Sequence, residues 1–283
     1  MPAAHASHTL CGACKCRNRS NLVTLAEPDD IGRALKETDA FVLNRQLSRR
    51  YSQEGEEPGT RRKVRVFGTY ERKTVMKQAN DRSIRLAGST IQPPCHACAF
   101  FHSDAESYEV LLPFIKEGFE QGDKSFHIID ARRREEYMNR LRAAGIDSSA
   151  EMTGQLEVRG WQNTYLRPGW FDQHAMIALV GEALRDAKEK GYVHTRLIGD
   201  MAWALKDKPG VEHLAEFCAR LNYFVPKYRA TIICAYDLAR FTAAQVVDVL
   251  RSHPLAVIGG IVQENPFFTS PDQLIREFQQ ERH

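Results

Sequence analysis

Histidine and cysteine alternate with small and aromatic residues along one apolar segment, 95-CHACAFFH-102. His96, Cys98, Phe100 and His102 follow one another at a spacing of two. Side chains two residues apart on a β-strand point to the same face of the sheet. If the segment is a strand, these four side chains share a face, and imidazole and thiol groups lie side by side.

The pair His96 and Cys98 allows three interpretations. Imidazole and thiolate are ligands of zinc, copper and iron, but two ligands are too few, so Cys234, His102 or Asp200 would have to complete a site. Alternatively, the pair contacts an organic ligand, or Cys98 packs in the core as a small apolar residue. We assign no metal ligand at this point and keep a metal or thiol redox sensor as an alternative.

A second group of metal-ligand types lies near the start of the chain, where Cys11, Cys14 and Cys16 follow His5 and His8. No second C-x-x-C and no spaced histidine pair follows them, as a zinc finger would require. The chain has seven cysteines, an odd number. Free thiols in a reducing cytoplasm are therefore expected rather than a disulfide framework.

The segment after His102 is where a nucleotide hydrolase of the α/β class holds phosphate. Such a loop needs glycines, a lysine and Ser or Thr. Here it reads FHSDAESYE, without glycine or lysine, and it carries Asp104 and Glu106. Carboxylates at a helix N-terminus satisfy the helix dipole and repel a polyphosphate. ATP hydrolysis is therefore disfavoured, and a residual nucleotide binder or ATPase remains the second alternative.

Charge divides the chain into two parts. Residues 1–90 carry 17 Lys and Arg against 10 Asp and Glu, whereas the rest is net negative. The first part is predicted to be a basic, weakly structured extension with, at most, weak contact to nucleic acid. Residues 91–283 are predicted to form a globular domain. With no apolar run of transmembrane length and no signal-peptide pattern, a soluble cytoplasmic protein is expected.

From Ile91 onward, apolar strands alternate with amphipathic helices that end at Gly, Asp or Pro. Segments such as FHIID, LIGDM and TIICAYD are apolar on both faces, as strands covered by helices on both sides are. We predict an open, three-layer, mainly parallel sheet, whose ligand lies at the carboxyl ends of the strands. The polar residues at those ends are His102, Asp130, Asp200 and Asp237, and Trp203 adds an aromatic wall nearby.

Four segments in this order resemble the MEDS family (methanogen/methylotroph, DcmR sensory domain). They begin at CHACAFFHSDAESYEVL and continue through LIGDMAWAL, TIICAYDLARF and SHPLAVIGGIVQENPFF. The resemblance covers about residues 90–283. It implies a RecA-like fold that has lost its nucleotide-hydrolysing loop and serves as a sensor of small molecules such as halomethane or hydrocarbon derivatives.

The resemblance also implies positions for the site. The family's opening His and Cys fall on His96 and Cys98, and its acidic and aromatic positions on Asp200 and Trp203. Its N-P-aromatic end falls on Asn265, Pro266 and Phe267. The predicted ligand-binding residues are His96, Cys98, Phe100, His102, Asp200, Trp203, Tyr236 and Asn265. The chain is thus expected to be a non-enzymatic sensor that regulates transcription or a partner protein, such as a histidine kinase or a regulator, with no membrane involvement.

Overall fold

The structure is a computed structural model that describes residues 83–147 and 149–280. The predicted basic extension, including the cysteine group at its start, lies almost wholly outside these residues. Among the described helices, none is both long enough and apolar enough to cross a membrane.

A seven-stranded sheet forms the centre of the fold, in the order β5-β4-β6-β7-β3-β8-β9. Neighbouring strands are parallel, except for the last pair, β8 and β9, which is antiparallel. The strands are β3 (Cys95–Phe101), β4 (Lys124–Ile129), β5 (Leu156–Gly160), β6 (Thr195–Asp200), β7 (Ala230–Asp237), β8 (Leu255–Ile258) and β9 (Ile261–Glu264).

Helices cover both faces of this sheet. One face packs against α1 and α2, and the opposite face packs against α4, α5 and α6. A last helix, α7, packs on α5. The helices are α1 (Asp104–Glu120), α2 (Arg134–Ala143), α3 (Ser149–Met152), α4 (Gln173–Glu189), α5 (Leu214–Phe224), α6 (Ala243–Ser252) and α7 (Pro271–Gln280).

Local sequence signals explain the elements. Every residue of β3 and β4 is buried, as expected of parallel strands with helices on both sides. Thr242 begins α6 with a capping box, because its hydroxyl accepts from the Gln245 N–H while the Gln245 side chain accepts from the Thr242 N–H. The predicted fold class is confirmed: the domain is a three-layer, mainly parallel α/β structure.

A small hairpin precedes the sheet. Its strands are β1 (Ile84–Leu86) and β2 (Ser89–Ile91), paired antiparallel, and its apolar side chains are buried with α1 and β3. The carboxylate of Glu117 on α1 accepts from the backbone N–H and the Nε of Arg85 at 3.0 and 2.8 Å. The hairpin, most of which precedes residue 91, therefore packs on the domain. The domain boundary between residues 90 and 91 stays a prediction.

Candidate functional site

The junction between β3 and α1 occupies the place where a phosphate loop would lie. Ser103 caps the helix by accepting a hydrogen bond from the Glu106 N–H at 3.2 Å. The Glu106 carboxylate turns back and accepts from the His102 N–H at 2.7 Å. These first donors are used by the chain's own side chains, and Asp104 adds a second acidic group. The acidic groups of this first turn would repel a polyphosphate.

A cavity of about 140 Å³ lies beside this junction, at the carboxyl ends of the strands; we name it the strand-end cavity. Three aspartates reach it from three neighbouring strands: Asp130 after β4, Asp200 at the end of β6 and Asp237 at the end of β7. Its other walls are apolar and aromatic, with two arginines. Those residues include Phe101, Tyr108, Ile129, Arg133, Tyr137, Ile198, Ala235, Tyr236 and Arg240.

The aspartates of the strand-end cavity differ in charge environment. Hydrogen bonds from Arg132, at 3.1 Å from Nε to both carboxylate oxygens, hold the pKa of Asp130 well below its usual range. Burial raises the pKa of Asp200, only partly offset by the Ala202 N–H that its carboxylate accepts at 2.9 Å. At the rim, Arg133 pairs with Asp104 at 2.8 Å. The cavity thus combines fixed charges with a carboxyl group that is easier to protonate.

His96 lies in a different place, in the core on the opposite face of the sheet. Its Nε2 is 3.5 Å from the Sγ of Cys234 on β7, and its Nδ1 is 3.1 Å from the Oδ1 of Asn222 on α5. Burial lowers the pKa of His96 to about 4. Together with Cys218 and His253 these residues form a buried His–Cys cluster of His96, Cys218, Cys234 and His253, whose ligand atoms all lie within 4.8 Å of one another.

Cys98, Phe100 and Trp203 are also core residues. The Cys98 thiol donates to the Leu255 carbonyl at 3.5 Å, and burial raises its pKa well above the usual range. Phe100 packs with its ring 5.4 Å from that of Tyr236. Trp203 is fully buried and stacks on Tyr165 at 4.6 Å between ring centroids. These side chains pack in the core between the sheet and its helices, and they do not line the strand-end cavity.

The last two predicted residues have separate places. Asn265 is buried after β9, where its amide donates to the His253 carbonyl at 2.7 Å and its Oδ1 accepts from the Phe267 N–H at 3.0 Å. His102 is exposed at the junction. Of the eight predicted residues, the structure therefore brings only Asp200 and Tyr236 to the strand-end cavity, and only His96 to the buried His–Cys cluster.

Sequence reasoning did not select several of the residues at these two places. Tyr108, Arg133 and Tyr137 line the strand-end cavity, and Cys218 and His253 belong to the buried His–Cys cluster. Tyr137 follows Arg133 by four residues, a spacing that puts both on one face of a helix, which is the only local signal for either. For Cys218 and His253 the chain offers no local signal beyond their apolar surroundings.

Comparison with known proteins identifies the family. Residues 95–254 match the MEDS family, described as the methanogen/methylotroph, DcmR sensory domain, and this is more than half of the chain. The chain belongs to the MEDS family. As a MEDS protein it carries a sensory domain, and its role lies in signalling and regulation.

Among curated relatives, this MEDS protein is similar to the transcriptional repressor DcmR of Methylorubrum extorquens. The two are 24% identical over 176 residues, which is 62% of this chain and 63% of DcmR. The chain thus spans less than two thirds of that relative's length. Among solved structures, a KaiC-like protein of the archaeon Pyrococcus horikoshii aligns with a TM-score of 0.42 and 15% identity, over 60% of this chain and 73% of the other.

Proposed function

We propose that this MEDS protein is a non-enzymatic cytoplasmic sensor that binds a small organic molecule in the strand-end cavity. The observation that carries the proposal is the position of that cavity. It opens where parallel α/β sheets bind their ligands, at the carboxyl ends of the strands. The helix that would hold phosphate there is instead capped by Ser103 and Glu106.

The size and walls of the cavity limit its ligand. A volume of about 140 Å³ is close to that of an engineered cavity of about 150 Å³ that holds benzene. A few non-hydrogen atoms fill it. Aromatic and apolar walls suit a halomethane or a short hydrocarbon derivative, and the carboxyl group of Asp200 and the guanidinium of Arg133 suit a single polar substituent.

The output of the sensor is a regulatory interaction. The ligand can shift the protein between two states only by its difference in affinity for them. The relative DcmR is a transcriptional repressor, which supports transcription as the target. We propose that residues 91–283 form the sensory domain and that the signal passes to a partner such as a histidine kinase or a regulator, with residues 1–90 as a weak nucleic-acid contact.

Ligand-dependent thermal stability tests this proposal. A ligand that binds only the folded state raises Tm in proportion to the logarithm of its concentration above Kd. We expect chloroform or propanol to raise the Tm of the full chain, and ATP with Mg²⁺ to leave it unchanged. Stabilisation by ATP with Mg²⁺, accompanied by phosphate release, would instead establish the nucleotide alternative.

A pair of matched variants locates the response. Ala235 lines the strand-end cavity, whereas Ala239 is exposed outside it. Ala235→Leu adds volume inside the cavity and should abolish the ligand-induced rise in Tm. Ala239→Leu makes the same chemical change two residues after β7 and should retain it. An unchanged response in Ala235→Leu would place the ligand elsewhere.

A further inference from the structure

The buried His–Cys cluster lies between the sheet and its second helical layer. His96 is on β3 and Cys234 on the adjacent β7, Cys218 is on α5, and His253 follows α6. All four side chains are at most 2% exposed. None of the four residues lines the strand-end cavity, and the two sites approach each other at Tyr236, which lines the cavity and has its hydroxyl 3.8 Å from the Cys218 Sγ.

Hydrogen bonds fix the protonation of His96. The Asn222 amide nitrogen donates to the carbonyls of Cys218, Ala219 and Ser252 at 2.9–3.2 Å, which orients its Oδ1 as the acceptor. That oxygen is 3.1 Å from Nδ1 of His96, so Nδ1 carries the proton. The lone pair is then on Nε2, the atom that faces Cys234 at 3.5 Å. A second partner that sets the tautomer in this way is the usual feature of a metal-binding histidine.

His253 is held in the same way. Its Nδ1 is 2.8 Å from the Val249 carbonyl and 3.0 Å from the Ser252 hydroxyl. The backbone carbonyl can only accept, so Nδ1 is again the protonated atom. Its Nε2 is fully buried and has no hydrogen-bond partner. An unpaired buried nitrogen is costly, and coordination of a metal ion would satisfy it.

The distances suit a tetrahedral ion. With Zn–S near 2.3 Å and Zn–N near 2.0–2.1 Å, ligand atoms in a tetrahedron are about 3.4–3.8 Å apart. The 3.5 Å between His96 Nε2 and Cys234 Sγ lies in that range. No pair of the four ligand atoms is more than 4.8 Å apart, which is about 1 Å above it. Small side-chain rotations would close the site.

The charges also match. Two thiolates and two neutral imidazoles cancel the charge of one divalent cation, so the loaded site is neutral. That is important in a core that excludes water, where an unbalanced charge is costly. Four protein ligands leave no open position, which is typical of a structural zinc site and not of a catalytic one.

We propose that His96, Cys218, Cys234 and His253 bind one zinc ion in the core of the domain. The ion would link β3, β7, α5 and the segment that leads into β8. Of the ligands considered from sequence, His96 and Cys234 belong to this set, whereas Cys98, His102 and Asp200 do not. The inference does not depend on the proposed small-molecule site, because its four ligands are not among the residues that line that cavity.

The test uses the full chain with Cys11, Cys14 and Cys16 changed to Ser, so that the thiols near the start of the chain cannot bind zinc. Plasma mass spectrometry of this protein should give one zinc per chain. Cys234→Ser in the same background should lower zinc content at least tenfold. Cys95→Ser is the matched control: Cys95 is also buried, but its thiol faces the opposite layer, where it donates to Thr231. It should keep one zinc per chain.

Cobalt replacement tests the site without altering its ligands. The background protein exchanged with Co²⁺ should show the intense visible bands of tetrahedral coordination and a thiolate-to-cobalt absorption in the near ultraviolet. This result stands even if Cys234→Ser fails to fold. Absence of stoichiometric zinc, weak bands of octahedral cobalt, or zinc content unchanged in a folded Cys234→Ser variant would overturn the proposal. A ligand response that persists in zinc-free protein would leave the proposed sensor function intact.

Discussion

Gly118 on α1 lies directly against the side chain of Arg196 on β6. A methyl group at residue 118 would be 2.5 Å from the Arg196 Nε. Arg196 is fully buried, and it bonds to the carboxylates of Asp123 at 2.8 Å and Glu117 at 3.1 Å. This contact fixes the far half of the helix whose first turn borders the strand-end cavity.

Gly118→Ala should destabilise the protein. Helix propensity alone predicts a gain of about 1 kcal/mol in the free energy of unfolding when alanine replaces glycine in a helix. The added methyl group, however, would displace a guanidinium held by its carboxylate partners, and we expect a net loss of about 1–3 kcal/mol in urea denaturation. In an Arg196→Met background the same substitution should cost less, and equal costs in both backgrounds would contradict the contact.

Arg196→Met should be more severe. It leaves the carboxylate of Asp123 buried without the cation at 2.8 Å, and breaking a buried pair in this way costs about 3–5 kcal/mol. Lys190→Met is the control, since Lys190 pairs with Asp186 on the surface of α4 at 2.8 Å. That change should lie within about 0.5 kcal/mol of zero. Similar losses for both variants would show that burial does not determine the cost.

Asp200 and Asp130 should make opposite contributions to the pH dependence of the free energy of unfolding. Burial raises the pKa of Asp200, so the folded state retains a proton that the unfolded chain loses above about pH 3.9. The free energy of unfolding therefore falls as pH rises through that region. In Asp200→Asn the side-chain oxygen can still accept from the Ala202 N–H. The residue no longer ionises, so the free energy of unfolding no longer falls for this reason as pH rises. The variant should be more stable than the unmodified protein at neutral pH, with the difference vanishing below the ordinary pKa.

Asp130→Asn provides the opposing measurement. Because Arg132 lowers the pKa of Asp130, that carboxylate stabilises the fold above its unfolded pKa, and the contribution is lost as pH falls. The variant should be less stable at neutral pH and approach the unmodified protein in acid. Urea denaturation at several pH values measures both differences. A change in the free energy of unfolding of the same sign for the two variants at neutral pH would contradict the opposite pKa shifts of Asp200 and Asp130.

Ser103→Ala should remove the N-cap of α1. Replacing a serine cap by alanine typically costs about 1 kcal/mol of stability, because the Glu106 N–H loses its acceptor. Ser107→Ala is the matched control, one turn further along the same helix, where alanine is the better helix former. Chemical denaturation should show a loss only in Ser103→Ala. A loss in Ser107→Ala alone would mean that α1 begins later than it does here.

Sequence patterns predicted much of the fold because their signals are local. The predicted strand segments FHIID and TIICAYD fall on β4 and β7, since continuous apolar runs between turn residues are typical of strands buried on both faces. The missing glycines and the acidic first turn of α1 were visible from composition alone, and Ser103 and Glu106 make the bonds that such residue types favour. Asp130, Asp200 and Asp237 were predictable as neighbours because parallel strands end at one edge.

The sequence alone thus determined the α/β class, the absence of a phosphate-binding loop and the position of the cavity at the carboxyl ends of the strands. Only the tertiary structure decided which side chains meet. Strand order places β7 and β8 on either side of β3, and His96 meets Cys234 across 138 residues of chain. Such pairings depend on how helices pack over non-consecutive strands. For that reason His96 and Cys98, adjacent on one strand face, have different partners, and Trp203 lies in the core rather than in the cavity.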